Sequence, residues 1–271
     1  MRRSRTCRSL PGSRCHPGRP TRQHCKPVTF LLFGALLAAC RWGLRPVPVI
    51  AIFISAPAIL AFNAPRMDLQ VFTWVKVLTL AASMLLIVSY PLVRTEAWQR
   101  RLAACVTGIL ALNIVEAVVA DAVAGHWLNP AVGTSLIVTL AWPRAFSPSA
   151  DGRHMLYDIG WPWILGYTAW NLTVVCGLYP EHWTDHLAVL AVPLVVAWLW
   201  GRERWLEARA LSLALYAVGI VLVIDVFRLP WLPTPPSPAE LYPWLSGLAA
   251  LLAVWNLLPS LLRRRPGKLA A

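Results

Sequence analysis

The chain has 271 residues, 58% of them hydrophobic and only 14% charged. A soluble domain carries about a quarter charged residues, so a water-soluble core is excluded and one helical membrane domain is expected. The net charge of +13 would suit nucleic acid, but most basic residues stand at the ends of apolar blocks. There they orient a membrane protein and meet anionic headgroups, so membrane lipids are expected as partners and nucleic acid is not.

Residues 1–26 hold eight of the 25 basic residues, no acid, three Cys, two His and three Pro. Such a tail resembles a targeting peptide, and Cys15-His16 and His24-Cys25 imitate zinc ligands. The plainer expectation is a disordered basic tail, or upstream DNA translated from a wrongly chosen start, and a dispensable one.

Nine apolar segments follow: Pro27–Cys40, Pro46–Phe62, Gln70–Tyr90, Leu102–Val123, Trp127–Phe146, Gly160–Pro180, Thr184–Trp200, Leu206–Phe227 and Leu241–Leu262. About 20 apolar residues cross the hydrocarbon core as a helix. The expected fold is an all-α polytopic transmembrane bundle of eight or nine spans over 27–262, with a basic cytoplasmic tail over 263–271. The first segment is short for a span, and the shortest segments are candidates for re-entrant pieces. Trp42, Trp127, Trp142, Trp161, Trp183, Trp200, Trp231 and Trp244 recur at segment ends, as an interfacial aromatic belt requires. Cys40, Cys105 and Cys176 lie in apolar segments, where cysteine acts as a small hydrophobe; no disulfide framework is implied.

One set of alternate loops carries Arg41, Arg45, Arg94, Arg100, Arg101, Arg144, Arg153, Arg202, Arg204, Arg209, Arg263, Arg264, Arg265 and Lys268; the other carries only Arg66 and Arg228. The first set is therefore expected in the cytoplasm, with the carboxyl terminus. Nine spans then put the basic amino-terminal tail outside. That conflict disappears if the first segment does not cross or, as favoured, if the tail is absent from the real protein. The longest cytoplasmic loop is expected at Ser147–Asp158, and the proline-rich outer loop over 229–236 is expected to be a stiff connector.

Charges inside a bilayer are expensive and mark candidate sites. Lys76 is embedded in the third segment; Asn113 and Glu116, three apart, share one helical face, as do Tyr167 and Asn171, four apart. Asp121 and Asp225 lie near segment ends. At 1.5 Å per residue Lys76 lies about 9 Å, and Glu116 about 8–10 Å, below the outer edge. A polar pocket in the outer half of the membrane is expected from Lys76, Asn113, Glu116, Asp121, Tyr167, Asn171 and Asp225. The competing reading makes Lys76 and Glu116 a purely structural ion pair. His126, His182 and His186 lie in outer loops, and with a carboxylate they would suit zinc; loop histidines are ordinarily solvated, so no metal and no cofactor are expected. The sequence holds no phosphate-binding glycine loop, nucleophile elbow or Cys-x-x-Cys pair.

Four stretches, Trp74-Val75-Lys76-Val77, Ala111 to Ala117, Trp161-Pro162-Trp163-Ile164 through Trp170-Asn171, and Trp205-Leu206-Glu207-Ala208-Arg209, carry a likeness. Over roughly Leu31 to Ile224 the chain resembles an uncharacterised family of bacterial multi-pass membrane proteins, a domain of unknown function. The resemblance implies a bundle in the bacterial inner membrane and no particular activity.

The leading functional expectation is a carrier or binding protein for a small polar or anionic solute. Lys76 would attract the anion, Glu116 would take a proton or cation, and Asn171 would hydrogen-bond the solute. One alternative is a membrane enzyme acting on a lipid or isoprenoid, with Glu116 or Asp121 as base, alone or together with the His182 and His186 loop. Another is a non-catalytic sensor or assembly protein. Retinal chemistry would need Lys76, the sole buried lysine candidate, and is not expected. A reporter active only in the periplasm, fused after Ala271, should be silent; a strong signal would overturn the topology.

Overall fold

A computed structural model describes residues 27–42, 55, 57–58, 61, 71–140, 145–180, 183–218 and 240–263. Among these the chain is mostly helical: α1 (Pro27–Trp42), α2 (Val71–Ser89), α3 (Glu96–Val123), α4 (Leu128–Val138), α5 (Trp161–Leu178), α6 (Trp183–Trp200), α7 (Trp205–Val218) and α8 (Leu241–Arg263). The helix ends follow local chemistry. Pro91 has no N–H to continue α2, and the chain passes into a 3-10 turn over Tyr90–Leu92. Glu96 sits in the first turn of α3, beside the positive end of its dipole.

Three helices, α3, α6 and α8, are long and apolar enough to cross a membrane. The outward faces of α3 and α8 carry exposed Leu112, Val115, Val119, Trp244, Leu248, Leu251 and Trp255, a surface that suits hydrocarbon better than water. Two expectations need correction. The segment Trp127–Phe146 is not one span: α4 has 11 residues, about 16 Å of helix against a hydrocarbon core of about 30 Å. Its helix ends at Thr139, and Phe146 already belongs to a strand. Nor is Ser147–Asp158 a plain loop. Strands β1 (Phe146–Pro148) and β2 (Met155–Tyr157) pair antiparallel, with Phe146 opposite Tyr157 and Pro148 opposite Met155, so the fold is not purely α. The proposed segment Pro46–Phe62, the tail 1–26, the proline-rich stretch and Asp225 lie largely or wholly outside the described residues.

The core is aromatic. Trp163, Trp170 and Trp205 are fully buried. Trp163 stacks on Tyr167 at 5.2 Å, and both rings meet the edge of Trp205 at 5.6 and 5.2 Å. Two indoles also tie α5 to α4. Trp163 Nε1 donates to the Leu136 carbonyl and Trp170 Nε1 to the Asn129 carbonyl, each at 3.0 Å. Both steps are seven residues long, in opposite chain directions, so two antiparallel helices are pinned two turns apart.

Between the pins, Gly133 lets α4 approach closely. A Cβ there would stand 2.4 Å from Val118 Cγ2 and 2.8 Å from Trp170 Cζ2. Gly133→Ala should therefore destabilise the fold by about 1–3 kcal/mol through overpacking, despite alanine's better helix propensity. Gly247→Ala, which would meet nothing within 4 Å, should be neutral or mildly stabilising. Thermal unfolding of the two variants in detergent checks this; equal midpoints would contradict the close approach.

Candidate functional site

Helix α7 places Trp205, Arg209, Ser212 and Tyr216 at steps of four, three and four, and all four are buried. Arg209 is thus carried on the core-facing side of the helix with a relative exposure of 4%. Its guanidinium lies 5.7 Å from the centre of the Tyr167 ring, and Nη2 reaches Asn171 Oδ1 at 3.5 Å, the outer limit of a hydrogen bond. Nε and Nη1 are buried without a partner. Guanidinium groups keep their charge in proteins, and an unpaired buried ion costs several kcal/mol. Among the described residues Arg209 makes no ion pair. It lines a cavity of about 50 Å³ with Asn113 and Ser83 at its polar positions and Ile87 and Leu110 among its apolar ones. The arrangement sets a fixed positive charge, with two nitrogens that have no partner, beside mostly apolar walls.

Three of the expected site residues gather here. Asn113 and Tyr167 line the cavity, and Asn171 holds the guanidinium. The pocket lies nearer the hairpin end of the bundle, since Tyr167 and Arg209 are both in the early turns of helices that begin there. Glu116 is partly buried one turn beyond Asn113. Lys76 belongs to α2, but its side chain, like Asp225 and His182, lies outside the described residues.

Asp121 does not join this cavity. It stands two turns beyond Asn113 on α3, about 12 Å further along the axis. There the helix ends on Gly125 at φ 87°, with Gly125 N–H bonded to the Ala122 carbonyl and His126 N–H to the Asp121 carbonyl. This is the glycine-terminated helix end that folds the next residue back, and it sets His126 Nδ1 3.1 Å from Asp121 Oδ1. Asp121 is fully buried, and its Oδ2 has no partner. The His126 ring packs 4.9 Å from Tyr242 of α8; Asn129 Nδ2 donates to the Tyr242 hydroxyl, and Ser246 donates to Asn129 Oδ1. Of the three histidines in the expected metal grouping, His182 lies outside the described residues. His186 meets the Tyr216 ring edge-on at 5.0 Å, and among the described residues no cluster of three or more His, Cys, Asp or Glu side chains could hold a metal.

A third polar group fastens the hairpin. Glu207 accepts the Met155 N–H at 3.2 Å and pairs with His154 Nδ1 at 2.9 Å, while Arg204 Nη2 lies 3.2 and 3.3 Å from the two His154 ring nitrogens. Arg202 adds a two-point contact to Asp158 at 2.9 and 3.0 Å. At the hairpin tip, Gly152 turns the chain at φ 64°. The Ser149 hydroxyl and the Arg153 N–H donate to Asp151, holding its carboxyl below the ordinary aspartate range.

Arg209 and the Glu207–His154 pair were missed in the sequence. Arg209 was counted among loop cations, and this is a correction: it is a buried helix residue. The signal available was its spacing of four from Trp205, which puts charge and indole on one face.

No family model, curated protein or solved structure matches the chain.

Glu207→Ala should free the hairpin and speed tryptic cleavage after Arg153 by about tenfold or more, the value of a charge-assisted anchor lost from local stability. An unchanged cleavage rate would show that Glu207 does not fasten it.

Proposed function

We propose that the chain is a polytopic bacterial inner-membrane protein that carries or binds a small polar or anionic solute, with its carboxyl terminus and hairpin in the cytoplasm. The observation that supports this best is Arg209: a guanidinium almost wholly removed from water, facing a cavity, with two nitrogens unpartnered. Evolutionary cost aside, such a charge is tolerable when an anion arrives to neutralise it. In this reading Arg209, not Lys76, is the principal anion group. Asn171 orients the arginine rather than the solute, and Asn113 and Tyr167 face the bound molecule. The site then lies in the cytoplasmic half of the membrane. Glu116 remains the candidate proton or cation group.

The membrane-enzyme reading draws on a different observation, the buried Asp121 carboxylate beside His126. It predicts turnover of a lipid substrate that Asp121→Asn abolishes and Arg209→Gln leaves intact.

Uptake of labelled acetate, phosphate, glutamate and glucose into vesicles containing the purified chain separates these readings. The carrier reading predicts anion uptake above that of empty vesicles, lowered about tenfold or more by Arg209→Gln, because a charge-assisted contact in a dry site is lost. Uptake no greater than in empty vesicles for every probe, with no saturable binding of any of them, overturns it.

A further inference from the structure

We propose that the Arg209 cavity takes a small monocarboxylate with a short apolar tail. The proposal rests on the reading of Arg209 as an anion site and narrows it to a ligand class. Three features of the cavity set that class.

The first is charge. Among the described residues lining the cavity, Arg209 is the only charged one. One buried cation neutralises one negative charge; a dianion would bring a second charge into a low-dielectric site with nothing opposite it. Sulfate and dicarboxylates are disfavoured on this ground.

The second is lining. Eight of the twelve described residues that line it are aliphatic: Leu80, Ile87, Val106, Ile109, Leu110, Leu206, Ala210 and Leu213, from α2, α3 and α7. The polar groups are few and partly committed. Ser83 donates its hydroxyl to the Thr79 carbonyl at 2.7 Å, and Asn113 Nδ2 donates to the Ile109 carbonyl at 2.9 Å. A sugar or amino acid, with polar atoms on all sides, would lose its hydration there without replacement. A carboxylate with a hydrocarbon tail has its polar atoms at one end, as the cavity has. Nη1 carries two N–H groups and Nε one; both nitrogens are unpartnered and carry almost no accessible surface, so a carboxylate reaches them by a small turn of the guanidinium toward the cavity.

The third is size. A volume of about 50 Å³ corresponds to about four water-sized groups. That is the scale of acetate or propionate.

The test is thermal unfolding of the full chain in detergent at neutral pH and constant ionic strength, with acetate, propionate, octanoate, succinate, sulfate or neutral propionamide. Propionate and acetate should raise Tm saturably, by about 3–5 °C at tenfold excess over Kd; succinate, sulfate and propionamide should not. Arg209→Gln should abolish the response while unfolding no lower than the parent without anion, since a buried unpaired charge has been removed. If Arg209→Gln does not fold, Asn113→Leu serves, and it should weaken the propionate response several-fold. A shift with sulfate or succinate but not propionate overturns the monocarboxylate class and leaves the anion site standing. A shift with octanoate alone overturns the short tail. No shift with any anion, together with a clear fall in Tm for Arg209→Gln, makes the arginine purely structural and removes both the class and the reading beneath it.

Discussion

A guanidinium inside an apolar bundle must be compensated where it stands, because neither water nor loss of a proton can relieve it. Much of the arrangement around α7 bears on that constraint. Tyr167 offers the face of its ring and Asn171 a carbonyl oxygen, both from α5. These are partial measures. A cation over an aromatic ring contributes about 0.5–2 kcal/mol, and a 3.5 Å hydrogen bond contributes little. Set against a desolvation cost of several kcal/mol, the contacts made by the described residues leave a deficit. In the proposed function an anion entering the cavity makes up that deficit.

The scaffold around it is rigid where that role needs rigidity. Tyr167 is held by Trp163 and Trp205, and Trp163 and Trp170 are in turn pinned to carbonyls of α4. The short α4 thus works as a strut that fixes the rotation of α5, and with it the ring beneath Arg209. At the hairpin end Glu207, two residues before Arg209, leaves the cavity and binds His154 and Met155. One helix turn sends its carboxylate to the hairpin and its guanidinium to the core, so the two charges of α7 do not neutralise each other.

Most helix boundaries were legible in the sequence because arginine, tryptophan and proline punctuate the apolar blocks. The predicted and observed limits of α2, α5, α6 and α8 agree within a turn. Residues 127–146 were misread as one span although Asn129, Pro130, Pro143 and Arg144 interrupt the apolar run, and the helix that forms has only 11 residues. The hairpin was hidden because three-residue strands are too short to show an alternating pattern. At the candidate site, pairs three or four apart singled out Asn113, Tyr167 and Asn171, and the structure brings these three near Arg209. Arg209 was lost because an arginine soon after a run of charges reads as loop, and its spacing of four from Trp205, which puts it on the buried indole's face, was not weighed against that. Asp121 stood out as a charge near a span end. Its bond to His126 depends on the turn at Gly125, a local signal present in the sequence.

The most direct test of the account is a crystal structure of the full chain grown with 3-bromopropionate, using the anomalous scattering of bromine to locate the ligand. The account predicts a bromine peak in the cavity between α2, α3 and α7, with the carboxylate against Nη1 or Nε of Arg209. It would be contradicted by a cavity without bromine in which the Arg209 guanidinium is paired with a carboxylate of the chain itself.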